Sequence, residues 1–240
     1  MSSDPKLVKP GVISSAVREE IDYDLSIQDA LARDYANISA ITRTIKPKLE
    51  EKLGTKVNDE SVITALKRLR GTYPPASEEI RRVIAESVVN VRTNVGKISL
   101  EKTRKTLGIV GGLLTSHEHA FLQVSESLTT ITIIFDQKMH KVIKEKISDS
   151  YVLEDADNMA AIIIESPPLI TTTPGCLINF YNQIARRHVN IEDTVSCHTD
   201  TIIVVRMQDV GKAFSALTEL VTENKSKVRV VQTGHAKIRR

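Results

Sequence analysis

The sequence has no tryptophan, and aromatic residues make up only 4% of it. Without large rings, its cores must be built from Ile, Val, Leu and Ala, which suits thin layers of helix and sheet. Cysteine is almost missing as well, with Cys176 and Cys197 the only two. They are not paired at metal-ligand spacing, and such sparing use fits a reducing compartment. The apolar runs, such as Ile131–Phe135 and Ile162–Ile164, fall far short of the roughly 20 residues that span a bilayer. The N-terminus shows no apolar stretch of the secretory kind. A soluble cytoplasmic protein with no membrane partner is expected. Charge of one sign is not in large excess either: the formal net charge is +3, too little by itself to demand nucleic acid.

Catalytic motifs are also missing. There is no glycine-rich phosphate loop, nucleophile elbow, His-Glu-x-x-His or paired-cysteine pattern. His117-Glu118-His119 has no third ligand close in sequence and reads as a surface loop. Cys197 and His198 are adjacent, whereas a nucleophile and its base meet through the fold. The chain is therefore expected to be no enzyme, with no catalytic residues, no metal and no cofactor.

What remains is an ordinary globular composition over 240 residues, 41% hydrophobic and 26% charged, with room for two or three domains. The clearest signals lie in the last third. Ala160–Ile164 reads as a buried strand ended by Pro167-Pro168. Thr173 and Pro174 read as N-cap and first residue of a helix over about 174–187, with Leu177, Phe180, Tyr181 and Ile184 inward. Asn190–Cys197 and Thr201–Arg206 read as a hairpin turning at His198-Thr199-Asp200. A second helix follows from Val210, and Val228–Val231 reads as a last short strand. The order is β–α–β–β–α–β, two helices on one face of an antiparallel sheet.

These residues resemble a known family. Ile162-Ile163-Ile164, Thr173-Pro174-Gly175-Cys176-Leu177, Asn190-Ile191, Thr201–Val205, Asp209 and Ala213-Phe214 are together similar to an ACT domain of the aspartate-kinase regulatory kind. His188 stands where that family usually has glycine. A slide of 71 positions sets Val124-Ser125 on Val195-Ser196 and Thr130-Ile131 on Thr201-Ile202. That suggests a diverged first copy over 88–156 before the copy at 157–235; the alternative is a degenerate appendage. Gly108, Gly111 and Gly112 mark close packing or a break in the first copy's helix.

The resemblance implies a ligand, often an amino acid, held between two such modules, and a homodimer. Carried over by position, it points to Thr172, Thr173, Pro174, Gly175, Cys176, Leu177, Asn190 and Ile191. The free N–H groups at a helix start favour an anionic group there. The other reading is a tight turn at Pro174-Gly175 and a cap at Asn190.

The N-terminal region reads as three short helices. The first runs over Ser26–Arg33 with a serine cap, the second ends at Gly54 with a break near Pro47, and the third starts at Asn58-Asp59. They resemble a helix-turn-helix or winged-helix domain over 1–73, followed by a boundary at Thr72–Ser77 and a linker helix to residue 87. Between Ile41 and Arg70 eight Lys/Arg face four Asp/Glu. Thr64, Lys67 and Arg68 would reach a DNA groove, with Arg43 and Lys46 nearer the backbone; the alternative is a solvated helical face.

The expected fold class is α+β, a small helical domain followed by two ferredoxin-like βαββαβ modules. That layout resembles archaeal amino-acid-binding regulators. It implies an effector-controlled transcriptional regulator or a non-catalytic subunit that confers feedback control on a biosynthetic enzyme.

Overall fold

The computed structural model describes residues 10–73, 78–117 and 119–238. The chain divides into two compact units, residues 1–77 and 78–240.

The first unit holds α1 (Pro10–Asp22), α2 (Leu25–Ala32), α3 (Ile38–Leu53) and α4 (Asp59–Leu69). Helix α1 was not expected, although Ile13, Ala16, Val17 and Ile21 repeat at helical spacing. They pack with Leu31, Ile45, Leu49, Val62, Leu66 and Leu69 in one core. Asp24, not Ser26, caps α2: its carboxylate accepts from the Ser26 and Ile27 N–H groups at 3.0 and 3.1 Å. Helix α3 does not break at Pro47. Ile45 and Leu49 flank that proline and are both buried, so core packing outweighs the backbone bond that the ring removes. Gly54 ends α3 at φ +63°, and the Asn58 side chain accepts from Glu60 N–H to open α4. Four residues of the expected boundary, 74–77, lie outside the described residues.

The second unit contains α5 (Glu78–Glu86), β1 (Val88–Glu101), α6 (Arg104–Ser116), β2 (Leu122–Glu126), β3 (Thr130–Asp136), α7 (His140–Lys146), β4 (Val152–Glu165), α8 (Cys176–Ala185), β5 (Asp193–Cys197), β6 (Asp200–Arg206) and α9 (Val210–Ile238). The strands form one antiparallel sheet in the order β2-β3-β1-β4-β6-β5. A β–α–β–β–α run thus occurs twice, and the two first strands, β1 and β4, lie side by side at the centre.

This pairing corrects three expectations. The expected strand at 160–164 is the second part of a 14-residue strand, β4, that begins at Val152 and is bulged where Asn158 takes φ +55°. Strand β1 also has 14 residues, with a matching bulge at Asn94, φ +56°. The expected strand at 228–231 is helix, part of the 29-residue α9. The ladder position beside the second half of β4 is already taken by Val88–Arg92 of β1, so the valine-rich run at 228–231 has no strand to join. Finally α5, expected as a linker, buries Ile84 in the core of this unit.

The β–α–β–β–α run recurs, but its equivalent residues do not lie 71 positions apart. Val95 pairs with Asp136 and Met159 with Arg206, so equivalent residues lie 64 apart in the first strands and 70 apart in the hairpins. A one-residue slip would exchange the two faces of a strand. At 70, Ile133 and Phe135 fall on Ile203 and Val205, and all four face helices.

Those helices cover one face, as two separate cores. Ile98, Leu100, Val110, Leu113, Ile133, Phe135 and Ile143 form the first, and Ile84, Ile162, Ile164, Phe180, Ile184 and Leu217 the second. The opposite face has a third cluster, Val95, Ile134, Met159, Ala161, Ile202 and Val204, drawn from β3, β1, β4 and β6. Arg92 and Lys97 rise from β1 on that face. The Arg92 guanidinium lies 4.8 Å from the Phe121 ring centre, and buried Lys97 reaches Glu154 at 2.8 Å and the Glu192 carbonyl at 3.3 Å. Long basic stems here shield apolar surface.

Among the described glycines Gly96 leaves the least room, since a Cβ there would stand 2.8 Å from the Phe135 ring of the first core. Gly96→Ala should destabilise the protein by about 1–3 kcal/mol through overpacking. Urea denaturation with an unchanged m-value would check this; an effect under about 0.5 kcal/mol would show that Phe135 yields freely.

Candidate functional site

The chain leaves β4 at Glu165, and the Ser166 N–H donates to the Thr199 carbonyl at 3.2 Å. One short helical turn, Pro168–Thr171, follows. Three threonine hydroxyls then fold back on it: Thr171 donates to the Pro168 carbonyl, and Thr172 and Thr173 donate to that of Leu169, at 2.9, 3.3 and 2.8 Å. Thr173 is thereby buried and caps nothing, contrary to expectation. Gly175 takes φ +88°, outside the helical region, so α8 starts at Cys176 and not at Pro174. A side chain at Gly175 would be strained there, with its Cβ 3.4 Å from the Ile80 methyl of α5.

No side chain caps the start of α8. Its counterpart α6 differs. Thr103 accepts from the Thr106 N–H at 3.1 Å, and the Thr106 hydroxyl accepts from the Thr103 N–H at 2.8 Å. That capping box engages the Thr106 and Thr103 N–H groups at the start of α6. Gly108, Gly111 and Gly112 have nothing within 4 Å of an added Cβ, so they mark neither close packing nor a break in α6.

Cys176 is buried beneath the start of α8, and burial pushes its thiol up. Asn190 lies past the other end of the helix, ahead of β5, where its amide donates to Glu192 at 3.1 Å. Ile191 packs partly into the core. Ten helical residues span roughly 15 Å, so one chain does not bring Thr172–Leu177 together with Asn190 and Ile191. His188 takes φ +55°, a conformation histidine tolerates better than most residues.

Sequence reasoning did not point to a cleft of about 570 Å³ at the β4 bulge, lined by His140, Glu154, Asp155, Asp157, Glu192 and Arg206, among others. Its charges largely answer one another. Arg206 Nε donates to Glu192 at 2.9 Å, and His140 Nε2 lies 2.9 Å from Asp155. Burial alone would raise Asp155, but the bonds from His140 and Lys144 hold it below the usual carboxylate range. No group of three or more ligating side chains suited to a metal occurs among the described residues.

In the first unit, Thr64, Lys67 and Arg68 share one exposed side of α4, opposite Val62, Ala65, Leu66 and Leu69. Arg43 is exposed on α3. Lys46 is committed to Asp59 at 2.5 Å, with Glu50 at 3.9 Å. Its hydrogen bond to Asp59 raises its pKa.

No protein-family profile matches the chain, and no curated protein matches it. Among solved structures, it is similar to the ligand-free regulatory subunit of aspartate kinase from Thermus thermophilus, at 12% identity and TM-score 0.46, over 55% of this chain and 95% of that one. It is also similar to Clostridium acetobutylicum aspartate kinase, at 16% identity and TM-score 0.46, over 55% of this chain and 34% of that one. Escherichia coli aspartokinase III in complex with lysine and aspartate matches at 13% identity and TM-score 0.44, over 56% of this chain and 32% of that one. The chain thus spans about a third of the length of the whole kinases it resembles.

Glu192 gives a pH test of the cleft. The Asn190 amide, and after it Arg206, hold its pKa below the ordinary glutamate value. A depressed carboxylate contributes stability that is complete above about pH 4.3 and is lost as pH falls through the folded-state value. Asn190→Ala should raise the Glu192 pKa and flatten that loss, as read by NMR titration of its carboxyl carbon. An unchanged midpoint would show that the amide does not hold it.

Proposed function

We propose that this protein is a non-catalytic, effector-responsive regulator whose second unit is a fused pair of ACT-type modules. The observation that carries this reading is the contrast between the two copies. Helix α6 is closed by its own capping box, whereas α8 opens at a left-handed glycine with no side-chain cap. Its first N–H groups suit the carboxylate of an amino acid, aided by the helix dipole. The proposed ligand residues are Thr172, Thr173, Pro174, Gly175, Cys176 and Leu177, with Asn190 and Ile191 from a second chain. The separation of these two groups along α8 is the reason for proposing a homodimer.

Regulatory output is assigned to the first unit, with two readings of its target. Docking on a biosynthetic enzyme, as a feedback-control subunit, is favoured by internal pairing of its cations: Lys46 with Asp59, Lys52 with Glu19 and Arg70 with Asp34. Effector-controlled DNA binding is favoured by the exposed strip Thr64, Lys67 and Arg68 on α4, with Arg43 on α3.

A thermal-shift screen over the twenty amino acids tests the sensor. A ligand at about 100 times its Kd adds roughly 2.7 kcal/mol to the folded state and raises Tm. Gly175→Val should abolish the shift, while Gly175→Asn, which tolerates positive φ better, should retain part of it. A shift that survives Gly175→Val would place the ligand elsewhere.

Binding to duplex DNA at two salt concentrations separates the outputs. A phosphate-contacting surface loses affinity steeply with salt. No binding even at low salt would leave the enzyme-docking reading.

A further inference from the structure

In the first unit a groove of about 340 Å³ runs between α1 and α4, lined by Ser14, Ser15, Arg18, Ala65, Arg68 and Leu69. Its chemistry is one-sided: two guanidiniums, two hydroxyls and no carboxylate. Ser14 and Arg18 are one helical turn apart on α1, as are Ala65 and Leu69 on α4, so each helix presents a row to the groove.

Three carboxylates that follow Arg18 in sequence have other partners, and Glu20 does not line the groove. Asp22, one turn further along α1, accepts the Tyr73 hydroxyl at 2.7 Å. Glu19 pairs with Lys52 at 2.7 Å, and Asp24 caps α2. Neither Arg18 nor Arg68 makes an ion pair among the described residues. Two exposed cations held along one groove repel each other, and an anion between them removes that cost. The planar, multi-donor guanidinium matches the oxygens of phosphate in paired hydrogen bonds, and the serine hydroxyls add two further donors.

We infer that this groove is a phosphate site, and that its ligand is the sugar-phosphate backbone of a nucleic acid. A polymer fits better than a small phosphorylated metabolite for two reasons. The groove offers only Ala65 and Leu69 as apolar lining, too little to enclose a base or sugar. Beyond its rim, Thr64 and Lys67 continue the polar and cationic strip on the same exposed side of α4, which suits successive phosphates along a strand. Arg18 and Arg68 flank one phosphate; Ser14 and Ser15 donate to its oxygens.

This inference rests on the nucleic-acid reading of the first unit, and the test keeps the two apart. Binding of the full chain to random-sequence duplex is measured over a range of salt for wild type, Arg18→Gln and Arg18→Lys, with Tm confirming that each variant folds. Arg18→Gln should weaken binding equally on different sequences and reduce the slope of log K against log salt by about one. Arg18→Lys keeps the charge and should restore the slope but not the full affinity. Wild-type binding that Arg18→Gln leaves unchanged in affinity and slope overturns the groove and spares the nucleic-acid reading. No wild-type binding at low salt overturns both, as does binding to anionic vesicles without binding to duplex.

Discussion

Strands β1 and β4 run antiparallel through the centre of the second unit, and every other strand hangs on their ladder. One half of each strand is the first strand of its own β–α–β–β–α run. The other half completes the neighbouring run. Val88–Arg92 thus lies beside Ala161–Glu165, and Lys97–Leu100 beside Val152–Ala156. The two helix-side cores are separate, so the ladder and the shared cluster on the opposite face join the halves. The bulges at Asn94 and Asn158 fall where each strand passes from one role to the other. An asparagine at each site is physically apt, since it accepts positive φ at lower cost than most side chains.

Much of this was legible in the sequence, because it depends on local pattern. The β-branched runs, the hairpin at His198, the helical spacing after Gly175, the Gly54 cap and the start of α4 at Asn58 are signals within a few residues. The exchange of strands was not local. Val228–Val231 has strand-like residues, and only the presence of Val88–Arg92 in the ladder decides against it. The repeat was hidden by insertion: the first strands are related at 64 positions and the hairpins at 70, so no ungapped slide aligns both. The slide at 71 matched similar residues but set helix-facing side chains on those of the other face. Asn94 and Asn158, with Ile98 and Ile162, were the available signal at 64.

The candidate sites divide in the same way. Thr173-Pro174-Gly175 stood out in sequence as a local turn-and-helix signal, but the left-handed φ of Gly175 and the inward turn of Thr173 were not read. That Asn190 lies at the far end of α8 required the fold. In the first unit the cations of α4 were visible from helical spacing. Their partners on α1 were missed because that helix was not read at all, although Ile13, Ala16, Val17 and Ile21 had the spacing. Lys46 shows the reverse error: its charge is plain in sequence, but Asp59 claims it across the turn that joins α3 to α4.

The shared ladder has a consequence for how this chain is made. During synthesis the first run emerges complete except for the strand beside Lys97–Leu100, while Val88–Arg92 waits for a neighbour some seventy residues downstream. Neither run is whole until both have left the ribosome, so the unit closes late and as one piece. The same geometry lets β1 of one molecule pair with β4 of another during crowded refolding, with identical ladders and no new contacts. Gene fragments cut between the runs would each carry an open central edge, and a tandem repeat that looks separable in sequence is a single folding commitment.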